Sequence, residues 1–172
     1  AWWTYLPVIG AINYRKSGHS YVLARDYQLP QLAGVSIIVW LFFEIWNFRL
    51  GNWLYIGLVP NLWLRWVGYA LAFATVLPAI LETALLFDHL GVARRVRGPA
   101  VRVSSRWLEI SVVLGFVMIL LVVLLPRYCF PFLWIGPLLI LDPVLYHLNK
   151  DASLLGHASC GSYRRLTCLM LA

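Results

Sequence analysis

Uninterrupted apolar runs are the feature that most limits how this chain can fold. Residues 111–125 and 133–141 carry no charged side chain, and the whole sequence is 62% hydrophobic and only 12% charged. A transmembrane helix needs about 20 predominantly apolar residues, whereas a transmembrane β-strand alternates apolar with polar residues. Because these runs do not alternate, the sequence predicts an all-α integral membrane protein.

Hydropathy, together with the positions of Gly and Pro, predicts a polytopic transmembrane bundle of about five to six spans. The predicted spans are residues 2–12, 32–48, 62–87, 107–125 and 131–148, and a sixth opens near Leu166. Together they form a single transmembrane domain over residues 1–172, with no room for a separate soluble domain. Both ends fall inside apolar runs, so we expect a fragment truncated at both ends.

A faint internal repeat suggests that this domain is the first part of an internally duplicated protein. Each copy of the repeat runs from a helix exit into a basic loop. The residues that align with small gaps are Trp3, Tyr14, Lys16 and Ser20 with Trp134, Tyr146, Lys150 and Ser153. A second Glu-x-x-Asn motif in a longer sequence would support the duplication.

The basic residues predict the orientation of the bundle, because short cytoplasmic loops are enriched in Lys and Arg. Eleven of the 14 Lys and Arg residues lie in loops 13–30, 89–106 and 149–165. We therefore expect these three loops on the cytoplasmic side of a bacterial inner membrane. The net charge of +7 then reflects topology and contact with membrane lipids, and it does not indicate a nucleic-acid partner.

Three carboxylic acids inside the predicted spans are the candidate catalytic residues: Glu44, Glu82 and Asp142. An ionisable side chain at the bilayer centre costs roughly 2.5 to 3.5 kcal/mol, so each acid needs a partner, a proton or a function. Glu82 follows Pro78 and Asp142 precedes Pro143, and a proline inside a helix usually bends it. We expect Glu82 and Asp142 to converge on a protein-lined interior cavity, while Glu44 lies nearer the outer surface.

The connection after the second span carries the candidate binding residues. Glu44 and Asn47 are three residues apart and share a helix face, and Gly51 then permits the helix to end. Non-helical backbone at membrane depth is tolerated only where protein or a cavity covers it, so we expect this segment to cover a pocket. The candidate substrate-binding side chains are Trp40, Trp46, Asn47, Trp53 and Tyr55.

A structural interpretation of the same residues stays open. Aromatic side chains such as Trp53 and Tyr55 are also typical of the belt at a membrane interface. Glu44 would then pair with Arg49 or Arg65 at the outer boundary, and Glu82 would reach toward the inner headgroups.

No metal or cofactor is expected. His157, Cys160 and Cys168 offer three loosely spaced ligands, whereas a structural zinc site has four ligands in paired short spacings. The sequence also contains no dinucleotide-binding, phosphate-loop or metalloprotease motif.

Two motifs resemble those of membrane-embedded lycopene cyclases and related carotenoid-biosynthesis proteins. The first is Gly51-Asn52-Trp53-Leu54-Tyr55, which follows a span that carries an acid, and the second is the Pro-Ala-Ile-Leu-Glu stretch at residues 78–82. The family has a pair of acids that are thought to protonate a polyene, whereas this chain has Glu82 alone. Residues 43–55 also resemble the Phe-Glu-x-x-Asn-x-Arg-x-x-Asn-Trp-x-Tyr signature of an uncharacterised group of bacterial multi-span membrane proteins, for which no activity is implied.

Three functions are compatible with these patterns. The resemblance implies an enzyme that cyclises or isomerises a lipophilic isoprenoid, with Glu82 as proton donor, Glu44 or Asp142 in support and aromatic faces stabilising the carbocation. The second function is that of a non-catalytic scaffold or accessory subunit, which binds a partner membrane subunit. The third is a small transporter or proton path, because acids lie at different depths in proline-broken helices.

Overall fold

The computed structural model describes residues 2–23 and 27–172, in which the regular structure is helical apart from one isolated bridge between Arg97 and Ser162. The prediction of an all-α protein is therefore confirmed for this part of the chain. Arg25, which belongs to the predicted basic loop 13–30, lies outside the described residues. The helices are α1 (Trp2–Ser17), α2 (Gln28–Leu50), α3 (Leu62–Phe73), α4 (Val76–Leu90), α5 (Ser105–Leu124), α6 (Pro126–Cys129), α7 (Phe132–Leu148), α8 (Leu154–Ser159) and α9 (Arg164–Leu171).

Three helical segments are long and apolar enough to cross a membrane. They are Gln28–Leu50, Leu62–Leu90 and Ser105–Leu124, with 23, 29 and 20 residues, and they match the second, third and fourth predicted spans. The other apolar helices are shorter, since α7 has 17 residues and α1 has 16. The sixth predicted span corresponds to α9, which has eight residues. Membrane-spanning length is thus confirmed for three helices of the described chain, and the count of five to six is not confirmed.

Apolar side chains cover the outside of the membrane-length helices. In α2 only Ser36 and Phe43 are buried, whereas Ile38, Ile45 and Phe48 are between 68% and 91% exposed. Large contiguous apolar surfaces of this kind are rare on soluble monomers and are typical of proteins that contact lipid. The buried residues include polar side chains beside apolar ones: Asn13, Ser20, Ser36, Thr75, Glu82, Asp142 and Ser153.

The chain divides into two compact units. The first comprises Ala1–Arg94 with Thr167–Ala172 and contains α1 to α4, and the second comprises Arg95–Leu166 and contains α5 to α8. Within the first unit, α1 and α2 pack against α4, and α2 also packs against α3. Within the second unit, α5 packs along α7. Each unit therefore has its own helix packing.

The membrane-length segment Leu62–Leu90 is broken into α3 and α4, as the position of Pro78 predicts. Ser36 of α2 inserts at the break: its hydroxyl donates to the Phe73 carbonyl at 2.5 Å and accepts the Leu77 N–H at 3.0 Å. These two backbone groups would bond to each other in a continuous α-helix, where each N–H reaches the carbonyl four residues earlier. A side chain inserted into the backbone ladder is a recognised cause of helix bending.

Close packing of α5 on α7 depends on two glycines. A Cβ at Gly115 would lie 2.7 Å from the Gly136 carbonyl oxygen, and a Cβ at Gly136 would lie 3.1 Å from the Gly115 carbonyl oxygen. The hydroxyl of Ser111 donates to the Leu139 carbonyl at 2.9 Å between the same helices. Small residues and serine hydroxyls are the usual contacts between helices in lipid, because apolar surface is satisfied equally well by lipid tails.

Candidate functional site

The connection after α2 is folded back onto the helix by the side chain of Asn47. Gly51 takes the left-handed conformation, with φ of 61°, and its N–H bonds to the Asn47 carbonyl. The Asn47 side chain accepts the N–H groups of Asn52 and Trp53 at 3.0 and 3.2 Å and donates to the Trp53 carbonyl at 2.9 Å. These bonds bring the connection back over the helix face that carries Glu44, the face shared with Asn47.

Glu44 accepts two hydrogen bonds from this connection, and both reach Oε1. The indole N–H of Trp53 donates at 3.0 Å, and the Tyr55 hydroxyl is the second donor. The indole N–H of Trp40 donates in turn to the Tyr55 hydroxyl at 3.5 Å. The carboxyl group is therefore held by aromatic donors that carry no charge.

The ion pair that the alternative interpretation expects at Glu44 does not occur among the described residues. Arg65 donates instead to the Val59 carbonyl through Nε at 3.2 Å and through Nη2 at 3.1 Å. The two bonds hold the guanidinium near the connection between α2 and α3. Arg65 and Glu44 thus have separate hydrogen-bond partners, although both lie at the same site.

A cavity of about 690 Å³ lies beside Glu44. Its volume is within the range of about 300–1,000 Å³ that is common for small-molecule sites. The wall combines side chains from α2, from the connection and from α3, and Glu44 and Arg65 are the charged residues in it. The connection therefore lines a pocket, as its sequence predicts. The aromatic residues of the wall are Phe48, Trp53, Tyr55, Trp66, Tyr69 and Phe73.

The aromatic rings of the wall contact one another. Tyr69 stacks on Phe73 with ring centroids 5.8 Å apart and planes 3° from parallel. It also contacts Tyr55 at 5.2 Å and Trp66 edge-on at 6.0 Å. Such pairs contribute about 0.5–1.5 kcal/mol beyond the area they bury, so these rings stabilise one another in the wall.

The five predicted binding residues divide into two groups. Trp40 packs against Phe73 with ring centroids 5.6 Å apart and reaches Glu44 only through the Tyr55 hydroxyl. Trp46 contacts Phe42, with ring centroids 6.3 Å apart. Neither of these tryptophans is part of the cavity wall, whereas the other three predicted residues line it: Asn47, Trp53 and Tyr55.

The environment of Tyr55 keeps its phenol protonated. Burial raises the pKa of Tyr55 above its ordinary value of 10.0, and the hydrogen bond to Glu44 raises it further. Burial disfavours the charged phenolate, and a phenol that donates to a carboxyl oxygen is stabilised in its neutral form. The N–H of Trp40 acts in the opposite direction with a smaller effect. Tyr55 is therefore a donor to Glu44 at neutral and mildly alkaline pH.

Glu82 belongs to a different network, in which protein groups bond to both carboxyl oxygens. The side chain is 0% exposed. Its Oε1 accepts the Ser20 hydroxyl at 2.6 Å and the Val22 N–H at 2.9 Å, and its Oε2 accepts the Asn13 amide at 2.5 Å. Asn13 also donates to the Glu82 carbonyl at 2.9 Å, and its Oδ1 lies 3.3 Å from Nδ1 of His89. This carboxyl group joins α1 and the segment after it to α4.

Asp142 lies in the second unit and caps helix α8. Its carboxylate accepts the N–H groups of Leu154 and Leu155 at 2.8 and 2.9 Å, and the Ser153 hydroxyl donates to it at 3.2 Å. The first N–H groups of a helix have no partner within the helix, so an acceptor placed there stabilises it. Asp142 is 7% exposed, and its bonds secure the connection between α7 and α8.

The three predicted catalytic acids thus have different surroundings. Glu44 lines the described cavity, whereas Glu82 and Asp142 are each bonded to backbone and side-chain donors of their own unit. Glu82 and Asp142 share no hydrogen-bond partner in the described ranges, and their convergence on one cavity stays a prediction.

Several residues that build these sites were not identified from the sequence. Tyr69 lies between Trp66 and Phe73 on α3, and the spacing of three and then four residues indicates an aromatic stripe on one helix face. That stripe could have indicated the cavity wall from the sequence. No local pattern indicates Asn13 and Ser20 as partners of Glu82, because these hydrogen bonds join residues more than 60 positions apart.

No group of three or more His, Cys, Asp and Glu side chains in residues 2–23 and 27–172 is arranged to hold a metal ion. Comparisons with known protein families, with curated proteins and with solved structures found no significant match. The resemblance to lycopene cyclases therefore stays a prediction, and the geometry of the chain carries the functional argument.

Proposed function

We propose that this chain is an integral membrane protein that binds a lipophilic small molecule in the cavity beside Glu44. The observation that supports the proposal most is a mainly apolar cavity of about 690 Å³ whose wall carries one carboxyl group and one guanidinium. An apolar pocket with a few polar groups that orient the ligand is the usual form of a small-molecule site. The ligand is lipid-soluble, because the cavity is built from two helices of membrane-length segments.

The binding test uses the full chain, purified in an uncharged detergent, and native mass spectrometry to detect bound lipids. Leu41→Trp places a larger side chain in the cavity wall, and Val113→Trp makes the same kind of change at an exposed position of α5. We expect a bound lipid or isoprenoid on the wild type and on Val113→Trp, and its loss from Leu41→Trp. Absence of any bound ligand from the wild type, together with a copurified membrane subunit, would favour the accessory-subunit function instead.

We also propose the finer topology of five to six spans in a bacterial inner membrane, with α1 and α7 as additional crossings. The basic loops 13–30, 89–106 and 149–165 are then cytoplasmic, in agreement with the enrichment of Lys and Arg on that side. The test labels Ile56→Cys and Val101→Cys with an impermeant maleimide on intact cells, in a chain whose natural cysteines are replaced. Ile56→Cys should react on intact cells and Val101→Cys only after permeabilisation, and the reverse pattern would contradict this orientation.

The position of Glu44 on the cavity wall favours a second candidate function, the acid-initiated cyclisation or isomerisation of an isoprenoid. Glu44 would take the role of proton donor in place of Glu82, because Glu44 faces the cavity and the oxygens of Glu82 are occupied. The faces of Trp53 and Tyr69 would stabilise the resulting carbocation.

This reaction is tested by expressing the protein in cells that make a linear carotenoid and analysing the pigments for rings. We expect ring formation that is lost with Glu44→Gln and kept with Glu109→Gln, an exposed acid of α5. Absence of ring formation with the wild type would remove the reaction and leave the binding proposal standing.

A further inference from the structure

Two side chains of opposite charge line the cavity, and each keeps capacity for a ligand. The hydrogen bonds to Glu44 in the described chain both reach Oε1, so Oε2 is available. Arg65 has five N–H donors and uses one on Nε and one on Nη2 to reach the Val59 carbonyl. Because Glu44 and Arg65 are not paired with each other, a ligand that carries both charges would complement both.

The surroundings of Glu44 fit a positively charged ammonium group. Trp53 and Tyr55 bond to the carboxyl group and line the cavity, and Tyr69 contacts Tyr55 with ring centroids 5.2 Å apart. Aromatic faces attract cations, and cages of aromatic side chains are the usual means of recognising quaternary ammonium groups. The negative charge and the rings therefore favour the same kind of ligand group.

Arg65 fits the opposite end of such a ligand. Its planar guanidinium can donate two parallel hydrogen bonds to phosphate oxygens, and arginine is frequently used for this purpose. The rest of the wall is apolar, with side chains such as Leu41, Ile45 and Leu62 that can contact hydrocarbon. The cavity wall thus contains an acidic, a basic and an apolar group, which match the ammonium, phosphate and hydrocarbon parts of such a molecule.

We propose that the cavity binds the headgroup of a zwitterionic phospholipid, with its ammonium beside Glu44 and the aromatic rings and its phosphate beside Arg65. This inference rests on the proposed binding function and specifies the chemical class of the ligand. It requires no chemical step. The two charged residues act as positioning groups that select one class of membrane lipid from the others.

The test compares three lipids with identical dioctanoyl tails: phosphatidylcholine, phosphatidylglycerol and diacylglycerol. The first carries ammonium and phosphate, the second phosphate alone and the third neither group. Binding to the full chain in an uncharged detergent is measured by native mass spectrometry, which resolves each adduct by mass. We expect phosphatidylcholine to bind about tenfold more tightly than either of the other lipids, a difference of about 1.4 kcal/mol.

Matched variants assign this preference to the two charged residues. Glu44→Gln should reduce binding of phosphatidylcholine to the level of phosphatidylglycerol, and Arg65→Gln should weaken both phosphate-containing lipids about tenfold. The controls, Glu109→Gln and Arg102→Gln, change exposed residues of the second unit and should bind like the wild type. Thermal unfolding of each variant establishes that it is folded. If a variant does not fold, the comparison of the three lipids on the wild type still tests the headgroup preference.

The outcomes separate the inference from the proposed function. Equal binding of the three lipids, or tighter binding of phosphatidylglycerol, would overturn the zwitterionic headgroup and leave a lipophilic ligand in place. An affinity for phosphatidylcholine that stays at the wild-type level in both Glu44→Gln and Arg65→Gln would also overturn the inference. Failure of all three lipids and of isoprenoids to bind would contradict the proposed function itself.

Discussion

Glu44 and Glu82 are the same residue type in apolar helices of the same unit, and they differ in what surrounds the carboxyl group. At Glu82, two side-chain donors and one backbone N–H occupy both oxygens, and the side chain is fully buried. At Glu44, both donors reach a single oxygen and the side chain lines a cavity of about 690 Å³.

The difference shows that an acid inside an apolar helix can serve either the fold or a ligand. A carboxyl group whose oxygens are all bonded to protein groups holds distant segments together, because each of those groups would otherwise be buried without a partner. A carboxyl group with one oxygen open to a cavity can bond to a molecule that enters it. The predictions that follow test this division, beginning with the largest expected effect.

Replacing Glu82 with Leu should give the largest loss of stability. The substitution removes the carboxyl acceptor of the Asn13 amide, the Ser20 hydroxyl and the Val22 N–H in a buried place, where Asn13 keeps its bond to the backbone carbonyl and Val22 keeps its bond to the Ser20 hydroxyl. Losing buried hydrogen bonds costs about 1–3 kcal/mol each, so the free energy of unfolding should fall by about 3 kcal/mol or more. Unfolding in detergent by increasing denaturant measures the change.

Glu109→Leu serves as the control, because Glu109 is an exposed acid of an apolar helix. Its free energy of unfolding should stay within about 0.5 kcal/mol of the wild type. Equal stability of Glu82→Leu and the wild type would show that the network around Glu82 is not a structural anchor.

Asp142→Ala should destabilise the second unit by about 1–2 kcal/mol, since it removes the acceptor at the start of α8. The same unfolding measurement applies, with Asp151→Ala at a nearby exposed acid as the control. If the two variants were equally stable, the cap would contribute nothing, and Asp142 would become a candidate for a functional role.

Ser36→Ala should cost about 1 kcal/mol, because the hydroxyl that bridges Phe73 and Leu77 at the break between α3 and α4 is lost. Since Phe73 belongs to the cavity wall, ligand affinity should fall as well. Unfolding and lipid binding are measured on the same sample. Unchanged stability would mean that the bent backbone, with Pro78, is sufficient without the serine.

Glu44→Gln should have the smallest effect on stability, below about 1 kcal/mol, because Glu44 is only partly buried and the amide can still accept from Trp53 and Tyr55. The measurable effect of this substitution is instead a pKa of Tyr55 lower than that in the wild type, because the Glu44 carboxyl group contributes to raising it. Burial, the largest cause of the raised pKa, remains in this variant.

The titration is followed by the ultraviolet absorbance of ionised tyrosine, and the Tyr55 contribution is the difference between each protein and its Tyr55→Phe variant. A raised tyrosine pKa stabilises the folded state below the unfolded pKa, and the contribution is lost as pH rises through the folded pKa. Glu109→Gln should leave the titration unchanged. A pKa of Tyr55 that does not respond to Glu44→Gln would contradict the hydrogen bond between them.

The sequence predicted the parts of this molecule that depend on local pattern. Helical class followed from apolar runs, and the break in Leu62–Leu90 followed from Pro78. A pocket at the connection was expected because Gly51 ends the helix and non-helical backbone follows it, and the connection lines the cavity. Hydropathy predicted spans at α1 and α7 as well, but these helices have 16 and 17 residues and are shorter than the three membrane-length segments.

The roles of the three acids were harder to predict, because their partners are distant in sequence. Glu82 bonds to residues 60 to 69 positions away, and no local spacing indicates such pairs. The partners of Glu44 lie within 11 residues, and this site was correspondingly easier to place. Depth in the bilayer, which rests on helix rise alone, could not distinguish an acid that bonds to backbone groups from one that faces a cavity.

Photo-crosslinking of the full chain in a membrane with a diazirine-bearing phospholipid tests the central claim most directly. Labelling that excess unlabelled lipid displaces should map to residues 41–55 and 62–73, which line the cavity, and should be lost in Leu41→Trp. Labelling of the outer, lipid-facing surface should not be displaced. Displaceable labelling that is absent from these two segments, or that is unaffected by Leu41→Trp, would contradict the account.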